Sequence, residues 1–442
     1  MLKRKIYDRL IEWKAHHRRE CLLVKGARQV GKTFIIDHFG ENNYSSYLNI
    51  NFIFNPECRD IFAGNLEGDE IFKAISIQFP RFRLIPGDTL VFLDEIQSCP
   101  RARTALKSLA LDGRADVIAS GSLLGINFLD GENRRSADRR NESIPVGYER
   151  QITMHSLDFE EYLWAAGYGE ETIGILREAF ENCTPVPSPS NEKMARIFRE
   201  YLVNGGMPEV VASFFESGSF GEAHDTQMKI LASNLDDIAR YASNAEKPKI
   251  RACYLSLPAQ LARENKKFKF SAVEHGGSAR KFGNSVDWLR ESSLALQCRN
   301  LAEPSLPLSV YASPDTFKMY VSDVGILCAM MGLEAKKAIV ANTLKGFAKG
   351  GLYENAIMGQ LVRRGYEPYY YMPKSNMAEI DFLVERNGAV SPIEVKAGNE
   401  ASRSFDRLLE RDEIGIGFKF VNGNVGRLGK KVTLPHYMSM FI

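Results

Sequence analysis

The chain has 442 residues, of which 44% are hydrophobic and 25% are charged, and its formal net charge is +2 at pH 7. This length is too great for one hydrophobic core and predicts about two to four domains, while the composition is that of a globular protein and excludes a disordered or fibrous one. The small net charge favours no class of partner, so any basic surface must be a local patch.

The cysteines and the apolar segments indicate the compartment. Seven cysteines are scattered along the chain without a C-x-x-C pair, which argues against a disulfide framework or zinc site and for a reducing cytosol. No apolar run approaches the roughly eighteen residues of a membrane span. Residues 1–17 are basic and amphipathic; we expect a helix packed on the first domain, with a membrane-surface helix as the alternative. The sequence thus predicts a cytoplasmic protein without a membrane partner.

The first motif in the chain is a predicted phosphate-binding loop. The stretch "KGARQVGKT" matches G-x-x-x-x-G-K-[ST], between an apolar run that predicts a strand and "TFIIDHF", which predicts a helix. Glycines let backbone N–H groups turn towards an anion, and a helix N-terminus favours negative charge. Lys32 should reach the β- and γ-phosphates of ATP, and the Thr33 hydroxyl should hold Mg²⁺. The predicted nucleotide-binding residues are Gly26, Ala27, Arg28, Gln29, Val30, Gly31, Lys32 and Thr33.

A second predicted strand ends in two carboxylates. Residues 90–93 are apolar and are followed by Asp94 and Glu95, which is typical of a strand buried in a parallel sheet. Ligands bind at the C-terminal ends of such strands. We predict that Asp94 holds Mg²⁺ and that Glu95 orients and deprotonates the attacking water.

A third strand, "DVIASGS", is predicted to end at the same edge of the sheet. It follows a helical stretch at residues 101–111 and brings Ser120 and Ser122 to its end. A polar residue there can contact the γ-phosphate, and we assign this contact to Ser122. Serine after a strand is also common turn chemistry.

A polar segment at residues 125–143 predicts a long loop. Its four arginines could contact phosphate or nucleic acid, or they could belong to a solvated loop: Arg134, Arg135, Arg139 and Arg140. From "SLDFEEYLWAAG" onward the sequence predicts helices, with "NCTPVPSPSNE" as a linker.

The middle of the chain predicts helix, turn, helix, turn and helix, followed by the strand-like runs "LPLSVY" and "FKMYVSDVGIL". This order is compatible with a winged-helix module, in which one helix enters a DNA groove. It is equally compatible with a helical adaptor that has an ordinary basic surface. The basic residues of the segment are Lys266, Lys267, Lys269, Arg280 and Lys281.

A hairpin is predicted near the C-terminus, because Asn387-Gly388 is a strong signal for a two-residue turn. This turn pairs residues whose numbers sum to 775, so Asp381 should face Glu394 with their Cβ atoms about 5 Å apart. Lys396 follows two residues after Glu394 and should lie on the same face.

Opposed carboxylates should repel each other unless a cation lies between them. We therefore predict a Mg²⁺ or Mn²⁺ site formed by Asp381 and Glu394, with Glu354 from the preceding helix as a further ligand. Lys396 could activate a water or stabilise a charged transition state. The alternative is an exposed hairpin with scattered charges.

Together these segments resemble the bacterial and archaeal AAA-type ATPases that carry a C-terminal domain of unknown function with a restriction-endonuclease-like, PD-(D/E)xK core. The segments that carry the resemblance are "KGARQVGKT", "FLDEIQ", "GSLLG", "IPVG", "MHSLDFEEYLWA", "NGGMPEVV", "SLPAQLARENKKFKFS", "FKMYVSDVGIL", "AEIDFLVE" and "PIEVKAG". The resemblance implies ATP binding by the loop, Mg²⁺ binding and hydrolysis by Asp94 and Glu95, and a nuclease-like site at Asp381, Glu394 and Lys396.

One position departs from this family. After "IPVG", relatives often have a basic residue, whereas this chain has Tyr148 and Glu149. The nearest substitute for an arginine finger is Arg150. Alternatively, a second copy of the chain supplies the finger in trans.

The expected fold is α/β in four segments: a P-loop AAA-type ATPase domain at 1–165, a helical lid at 166–235, a winged-helix-like module at 236–335 and a restriction-endonuclease-like domain at 336–442. The leading hypothesis is an ATPase whose nucleotide state controls a DNA-binding, nuclease-like half. The alternative is a nucleotide-gated binding switch with slow hydrolysis and a non-cutting scaffold. A third hypothesis, an ATPase acting on proteins, is disfavoured because the sequence shows no evident aromatic pore loop. Expected partners are ATP, DNA and a further copy of the chain.

Overall fold

A computed structural model describes residues 1–16, 19–122, 147–373 and 379–442. The chain forms two compact units. The N-terminal unit contains residues 3–155 and 291–293, and the C-terminal unit contains residues 1–2, 156–290 and 294–442. The predicted loop at 125–143, with its four arginines, lies outside the described residues.

The described part of the N-terminal unit contains a five-stranded parallel sheet in the order β2-β3-β4-β1-β5. Its strands are β1 Cys21–Gly26, β2 Ser46–Asn51, β3 Thr89–Asp94, β4 Asp116–Ser122 and β5 Glu149–Met154. Its helices are α1 Lys5–His16, α2 Lys32–Asn43, α3 Gly68–Gln78 and α4 Pro100–Asp112. Every residue of β3 is buried, as expected for a strand covered on both faces.

This topology brings the predicted nucleotide-binding segments to one edge. Because β1, β3 and β4 run parallel, their C-terminal ends meet at the same side of the sheet. The register pairs Gly26 at the end of β1 with Ser122 at the end of β4. The loop, the carboxylate strand and the serine strand therefore end together.

The C-terminal unit begins with a helical region. Its helices are α5 Phe159–Ala165, α6 Glu170–Glu181, α7 Ser188–Asn204, α8 Pro208–Ser217, α9 Phe220–Tyr241, α10 Lys247–Leu261, α11 Ala279–Glu291, α12 Val324–Met330 and α13 Leu333–Val340. In the described ranges, no helix is both long and apolar enough to cross a lipid bilayer.

The C-terminal unit also contains an eight-stranded sheet in the order β12-β13-β11-β10-β9-β8-β6-β7. Its strands are β6 Ala295–Leu301, β7 Ala312–Val321, β8 Tyr369–Tyr371, β9 Ile380–Arg386, β10 Ala389–Val395, β11 Gly417–Val421, β12 Gly426–Leu428 and β13 Lys431–Pro435. The associated helices are α14 Gly346–Arg363 and α15 Arg403–Leu409.

The predicted hairpin register is confirmed. β9 and β10 pair antiparallel from Arg386 with Ala389 to Phe382 with Ile393. Asn387 and Gly388 both have positive φ, at 51° and 74°, as a type I′ turn requires. The two-residue turn at Asn387-Gly388 therefore accounts for the register between the two strands.

Two features of the middle segment differ from the prediction. The run "LPLSVY" forms a 3₁₀ turn at Leu308–Tyr311 rather than a strand. Pro307, the second residue of the run, has no N–H to donate to a neighbouring strand. β6 and β7 belong to the same sheet as β8 to β13, so the predicted boundary between 335 and 336 falls inside one sheet. The remaining division into segments stays a prediction.

Asp323 links distant segments of the C-terminal unit by hydrogen bonds. Its carboxylate caps α12 by accepting the backbone N–H of Gly325 at 2.9 Å, which satisfies a free donor of the first turn. It also accepts the Ser156 hydroxyl at 2.8 Å and the Gly206 N–H at 2.9 Å. One buried side chain thus connects three parts of the sequence that are far apart along the chain.

Candidate functional sites

The loop between β1 and α2 is shaped by residues in the left-handed region. Gln29 has φ 61° and Gly31 has φ 92°. A Cβ atom on Gly26 would lie 2.3 Å from the carbonyl oxygen of Met154, so only glycine fits at the start of the loop. The sequence "GARQVGKT" therefore folds into a turn that leads into the N-terminus of α2, where backbone N–H groups favour an anion.

Lys32 lies over this loop and is only 7% exposed. Its Nζ donates to the carbonyl oxygens of Gly26 at 3.1 Å and Ala27 at 2.9 Å. Burial lowers the pKa of Lys32 to about 8, against the opposing charges of Glu95 and Asp94. A cation in a desolvated anion-binding turn is suited to phosphate.

Asp94 is held entirely by neutral donors in the contacts that the described residues show. Its Oδ2 accepts the Thr33 hydroxyl at 3.0 Å and the Asn51 amide at 2.8 Å. Its Oδ1 accepts the Ser120 hydroxyl and the backbone N–H of Glu95, the latter at 3.0 Å. Thr33 and Asp94, the two predicted Mg²⁺ ligands of this site, are therefore adjacent. Both are oxygen donors of the kind that Mg²⁺ requires, so they fit a Mg²⁺ bound with ATP.

Glu95 adopts a strained backbone at the end of β3. Its φ is 55°, which is uncommon for a non-glycine residue and is often found at active sites. Its carboxylate accepts a hydrogen bond from the Gln97 amide. This conformation turns Glu95 away from the buried strand, so it is only half-buried, whereas Asp94 is 1% exposed.

The two serines of β4 have different neighbours in the structure. Ser122 lies opposite Gly26 in the register and is buried, so it is next to the loop, where we predicted it. Ser120, which we did not assign, contacts Asp94. Asn51 was also missed; the signal was a polar residue at the end of β2, opposite Asp94 in the register.

The structure places Arg150 away from the phosphate-binding loop of its own chain. Arg150 pairs with Leu22, four residues before Gly26, which corresponds to about 13 Å along a strand. Its guanidinium forms an ion pair with Glu20 at 2.5 Å. Glu149 is also engaged, in a buried ion pair with Arg103 at 3.1 Å. Arg150 therefore does not reach the phosphate-binding loop of its own chain.

The second site lies in the C-terminal unit, in a cavity of about 560 Å³. Four predicted residues line this cavity: Glu354, Asp381, Glu394 and Lys396. Three of them come from the β9–β10 hairpin and its C-terminal end, and Glu354 comes from α14. The structure therefore brings together the residues that the sequence analysis assigned to this site.

Glu394 is 2% exposed and has one satisfied and one free oxygen. Its Oε1 accepts from Lys396 Nζ at 2.6 Å and from the Ser402 hydroxyl at 2.6 Å. Its Oε2 is buried without a hydrogen-bond partner among the described residues. A buried acceptor of this kind is costly, and a ligand that enters the cavity can satisfy it.

Asp381 and Glu354 complete the acidic wall. Asp381 accepts the backbone N–H of Val395 at 2.8 Å. Burial and the charges of Glu354 and Glu394 hold the pKa of Asp381 well above its usual range. Glu354 forms an ion pair with Lys266, whose Nζ lies 2.8 Å from Oε1. Burial would raise the pKa of Glu354, but the charges of Lys318 and Lys266 outweigh it and lower this pKa.

The C-terminal donors fit a divalent cation by type but not by arrangement. Among the residues that the structure describes, no three acidic, histidine or cysteine side chains are placed to hold one metal ion. Lysines supply the positive charge instead. The sequence analysis missed Lys318, Glu379 and Ser402. The signal for Lys318 was its position inside the apolar run "FKMYV". An unpaired charge is rarely buried, so a lysine in a buried strand indicates an acidic partner nearby.

Four of the five basic residues of the middle segment divide into two groups, and the fifth, Lys267, is half-buried. Lys269, Arg280 and Lys281 are exposed, although Lys281 forms an ion pair with Glu274 at 2.6 Å. Lys266 points into the acidic cavity and contacts Glu354. The basic surface is therefore smaller than the sequence analysis expected.

The fold and site of the N-terminal unit define the class of P-loop nucleotide-binding domains: a parallel sheet, a glycine-rich loop that leads into a helix, and an acidic strand end beside it. The AAA domain family matches residues 18–163. The unit is an AAA-type P-loop ATPase domain, and the protein is an ATP-binding ATP hydrolase. Two domains of unknown function, DUF8612 and DUF4143, match residues 195–337 and 349–433.

Several solved structures are similar to the chain. A Walker-type ATPase of Pyrococcus abyssi is 14% identical, with 75% of this chain and 96% of that chain covered and a TM-score of 0.43. The Aeropyrum pernix ORC1 protein, solved in complex with DNA, is 12% identical over 76% and 93%, with a TM-score of 0.28. The S. cerevisiae Hsp104–ADP complex is 13% identical over 65% and 39%, with a TM-score of 0.27. A search of curated proteins returned no match.

Proposed function

We propose that this ATPase uses its nucleotide state to control a DNA-binding, nuclease-like C-terminal half. The proposed restriction-endonuclease-like core consists of α14, β8, β9, β10, α15 and β11. In this core β10 lies inside the sheet between β9 and β11. A central strand holds its side chains rigidly, as a site for a phosphodiester requires.

The observation that carries the proposal is the meeting of Asp381, Glu394 and Lys396 at one open cavity. Asp381 accepts a backbone N–H from β10, and Lys396 Nζ lies 2.6 Å from Glu394. This is the PD-(D/E)xK combination of two carboxylates and a lysine on paired strands. Scattered surface charges would be exposed, whereas Asp381 is 7% and Glu394 2% exposed.

The element order before this core supports DNA binding. Helix α10, the 3₁₀ turn Phe270–Ala272 and helix α11 precede the antiparallel pair β6–β7, an order compatible with a winged helix. We propose that α11 enters the DNA groove. The exposed Lys269, Arg280 and Lys281 would contact phosphates.

In the N-terminal site, each residue has a proposed role. Lys32 binds the phosphates, Thr33 and Asp94 hold the Mg²⁺, and Ser122 contacts the γ-phosphate. Glu95 accepts the proton of the attacking water and orients it. A Mg²⁺ ion held by Thr33 and Asp94 would supply the neutralisation of charge on the phosphates.

A second candidate function is a nucleotide-gated binding switch with slow hydrolysis and a non-cutting C-terminal scaffold. Two observations favour it. Lys318 lies among the carboxylates of the C-terminal site. Arg150 is ion-paired to Glu20 at the far end of its strand, so rapid hydrolysis would need an arginine from another copy of the chain.

DNA affinity in each nucleotide state tests the proposal. Glu95→Gln should keep ATP bound without hydrolysing it. The DNA affinity of this variant with ATP should differ from that of the wild type with ADP by at least ~10-fold. Replacing Lys269, Arg280 and Lys281 by alanine should weaken DNA binding and reduce its salt dependence. Alanine at Lys337, an exposed lysine of the same unit, is the matched control.

Equal DNA affinity in both nucleotide states would contradict the control of DNA binding by ATP. A cleavage assay with Mn²⁺ on single-stranded, double-stranded and branched DNA separates the two candidates. Cutting supports the nuclease-like half, and nucleotide-dependent binding without cutting supports the switch.

A further inference from the structure

Lys318 is a buried cation at the centre of the C-terminal acidic cluster. Its side chain is 0% exposed. Nζ lies 3.6 Å from Glu354 and 4.0 Å from Asp381 and forms an ion pair with Glu379. Three carboxylates, one from α14, one from the residue before β9 and one from β9, therefore surround one ammonium group.

The fold fixes Lys318 in this position. Lys318 pairs with Cys298 across β6 and β7. Tyr320, two residues along the strand and so on the same face, donates its hydroxyl to Glu354 at 3.3 Å. The ring of Tyr370 packs against the ammonium with its centroid 5.0 Å from Nζ. Strand geometry and an aromatic neighbour thus hold the cation in place.

The charges at the site are nearly balanced without a metal ion. Four carboxylates take part, namely Glu354, Glu379, Asp381 and Glu394. Three lysines face them: Lys266, Lys318 and Lys396. A divalent ion added beside Lys318 would meet an ammonium group, and two cations in a buried space repel strongly.

We infer that Lys318 is a built-in cation that takes the place of a divalent metal ion between Glu354, Glu379 and Asp381. While Lys318 stays there, the site excludes Mg²⁺ and Mn²⁺. Removal of the ammonium leaves these carboxylates without a cation, so they can draw together around an ion that prefers oxygen ligands. The inference rests on the proposed C-terminal site, and it predicts that the wild-type site does not cut DNA with Mg²⁺ or Mn²⁺, which is the outcome expected of the binding switch. The DNA-binding test above needs no metal at this site, so the inference and the proposed function can fail separately.

Mn²⁺ binding to the nucleotide-free full-length chain tests the inference. All variants carry Asp94→Asn, which removes the N-terminal ligand. Electron paramagnetic resonance should detect no tight site with Lys318 present. Lys318→Met should bind one Mn²⁺ per chain at least ~10-fold more tightly. Its melting temperature should fall in EDTA and recover with Mn²⁺.

Lys336→Met is the matched control. Lys336 is also buried, at 1% exposed, but it donates to the Gln227 amide rather than to a carboxylate. This variant should melt at a lower temperature, and Mn²⁺ should not restore it. A general effect of removing a buried lysine is thereby separated from the creation of a metal site.

Two results would overturn the inference: Mn²⁺ binding with Lys318 present as tight as in Lys318→Met, or no Mn²⁺ binding by Lys318→Met. If Lys318→Met does not fold with or without Mn²⁺, Lys318→Gln decides, because its amide can still donate hydrogen bonds to the carboxylates but carries no positive charge. It should fold and bind Mn²⁺. Failure to do either overturns the inference.

Discussion

Asp94 in the N-terminal unit and Asp381 in the C-terminal unit are both buried, at 1% and 7% exposure, but they have different neighbours. Asp94 accepts hydrogen bonds from two hydroxyls, an amide side chain and a backbone N–H. Asp381 lies in a cluster whose positive charge comes from buried or half-buried lysines.

This difference separates a site for an exchangeable cation from a site with a permanent one. Neutral donors satisfy a carboxylate but leave its negative charge available to an incoming ion, as Mg²⁺ with ATP requires. Lysines neutralise the charge electrostatically, and they cannot leave because they are covalently part of the chain. A buried carboxylate that loses its lysine becomes an uncompensated charge, which is strongly destabilising.

The largest expected effect removes the cation of the phosphate-binding loop. Lys32→Ala should weaken ATP binding by at least ~10²-fold, because charge-assisted hydrogen bonds to the phosphates are lost. The measurement is a nucleotide titration by calorimetry. Lys73→Ala, at an exposed lysine of the same unit, should bind ATP normally. Undiminished ATP binding by Lys32→Ala would contradict the assignment of the loop.

Glu95→Gln should separate binding from turnover. Loss of the general base should lower kcat by about two to four orders of magnitude while ATP binding is kept. Steady-state phosphate release measures this. Glu41→Gln, at an exposed acid on α2, should hydrolyse ATP at the wild-type rate. Wild-type turnover by Glu95→Gln would place the base elsewhere.

Lys266→Met tests the permanent charges of the C-terminal site. Glu354 would keep only Lys318 as a cation, so the free energy of unfolding should fall by about 2 kcal/mol, less than for a fully broken buried pair. Urea unfolding of the full chain measures the change. The control is Lys281→Met, which breaks the exposed pair with Glu274 and should cost about 0.5 kcal/mol or less. Equal changes in the free energy of unfolding of both variants would contradict a larger stabilising role for the lysines of the C-terminal site.

The effect of pH gives a further test near the same site. Burial lowers the pKa of His436 to about 3, and its Nε2 lies 2.9 Å from the carbonyl oxygen of Lys396. The folded state keeps His436 neutral while the unfolded state gains a proton below pH 6.5. Stability is therefore lost as the pH falls from 6.5 towards 3.

At pH 5 this loss should amount to about 2 kcal/mol relative to pH 7. Comparison of wild type and His436→Gln by urea unfolding at both pH values measures it. The variant should lose less stability between pH 7 and pH 5. The same loss in both proteins would assign it to other groups.

The parts predicted correctly from the sequence follow from local chemistry. The loop is determined by glycine positions and a strand–helix context, and the hairpin register follows from Asn387-Gly388. The expectation of adjacent Thr33 and Asp94 rests on the parallel order of strands, which the structure confirms.

The parts that the sequence did not predict depend on contacts between distant segments. Lys318 reaches Glu354 and Asp381 only because β7 joins the sheet of β8 to β13. Lys266 was assigned to a basic surface, since nothing local indicates that it pairs with Glu354. Arg150 was a candidate finger by position alone, and the strand register places it at the wrong end of β5.

The number of Mn²⁺ ions bound per wild-type chain tests the central distinction most directly. Electron paramagnetic resonance on the full chain can count them with and without a non-hydrolysable ATP analogue. We predict one tightly bound ion with the analogue and none without it, because only the N-terminal site accepts an exchangeable cation. A tightly bound ion without nucleotide, or two ions with it, would contradict a permanent cation in the C-terminal site.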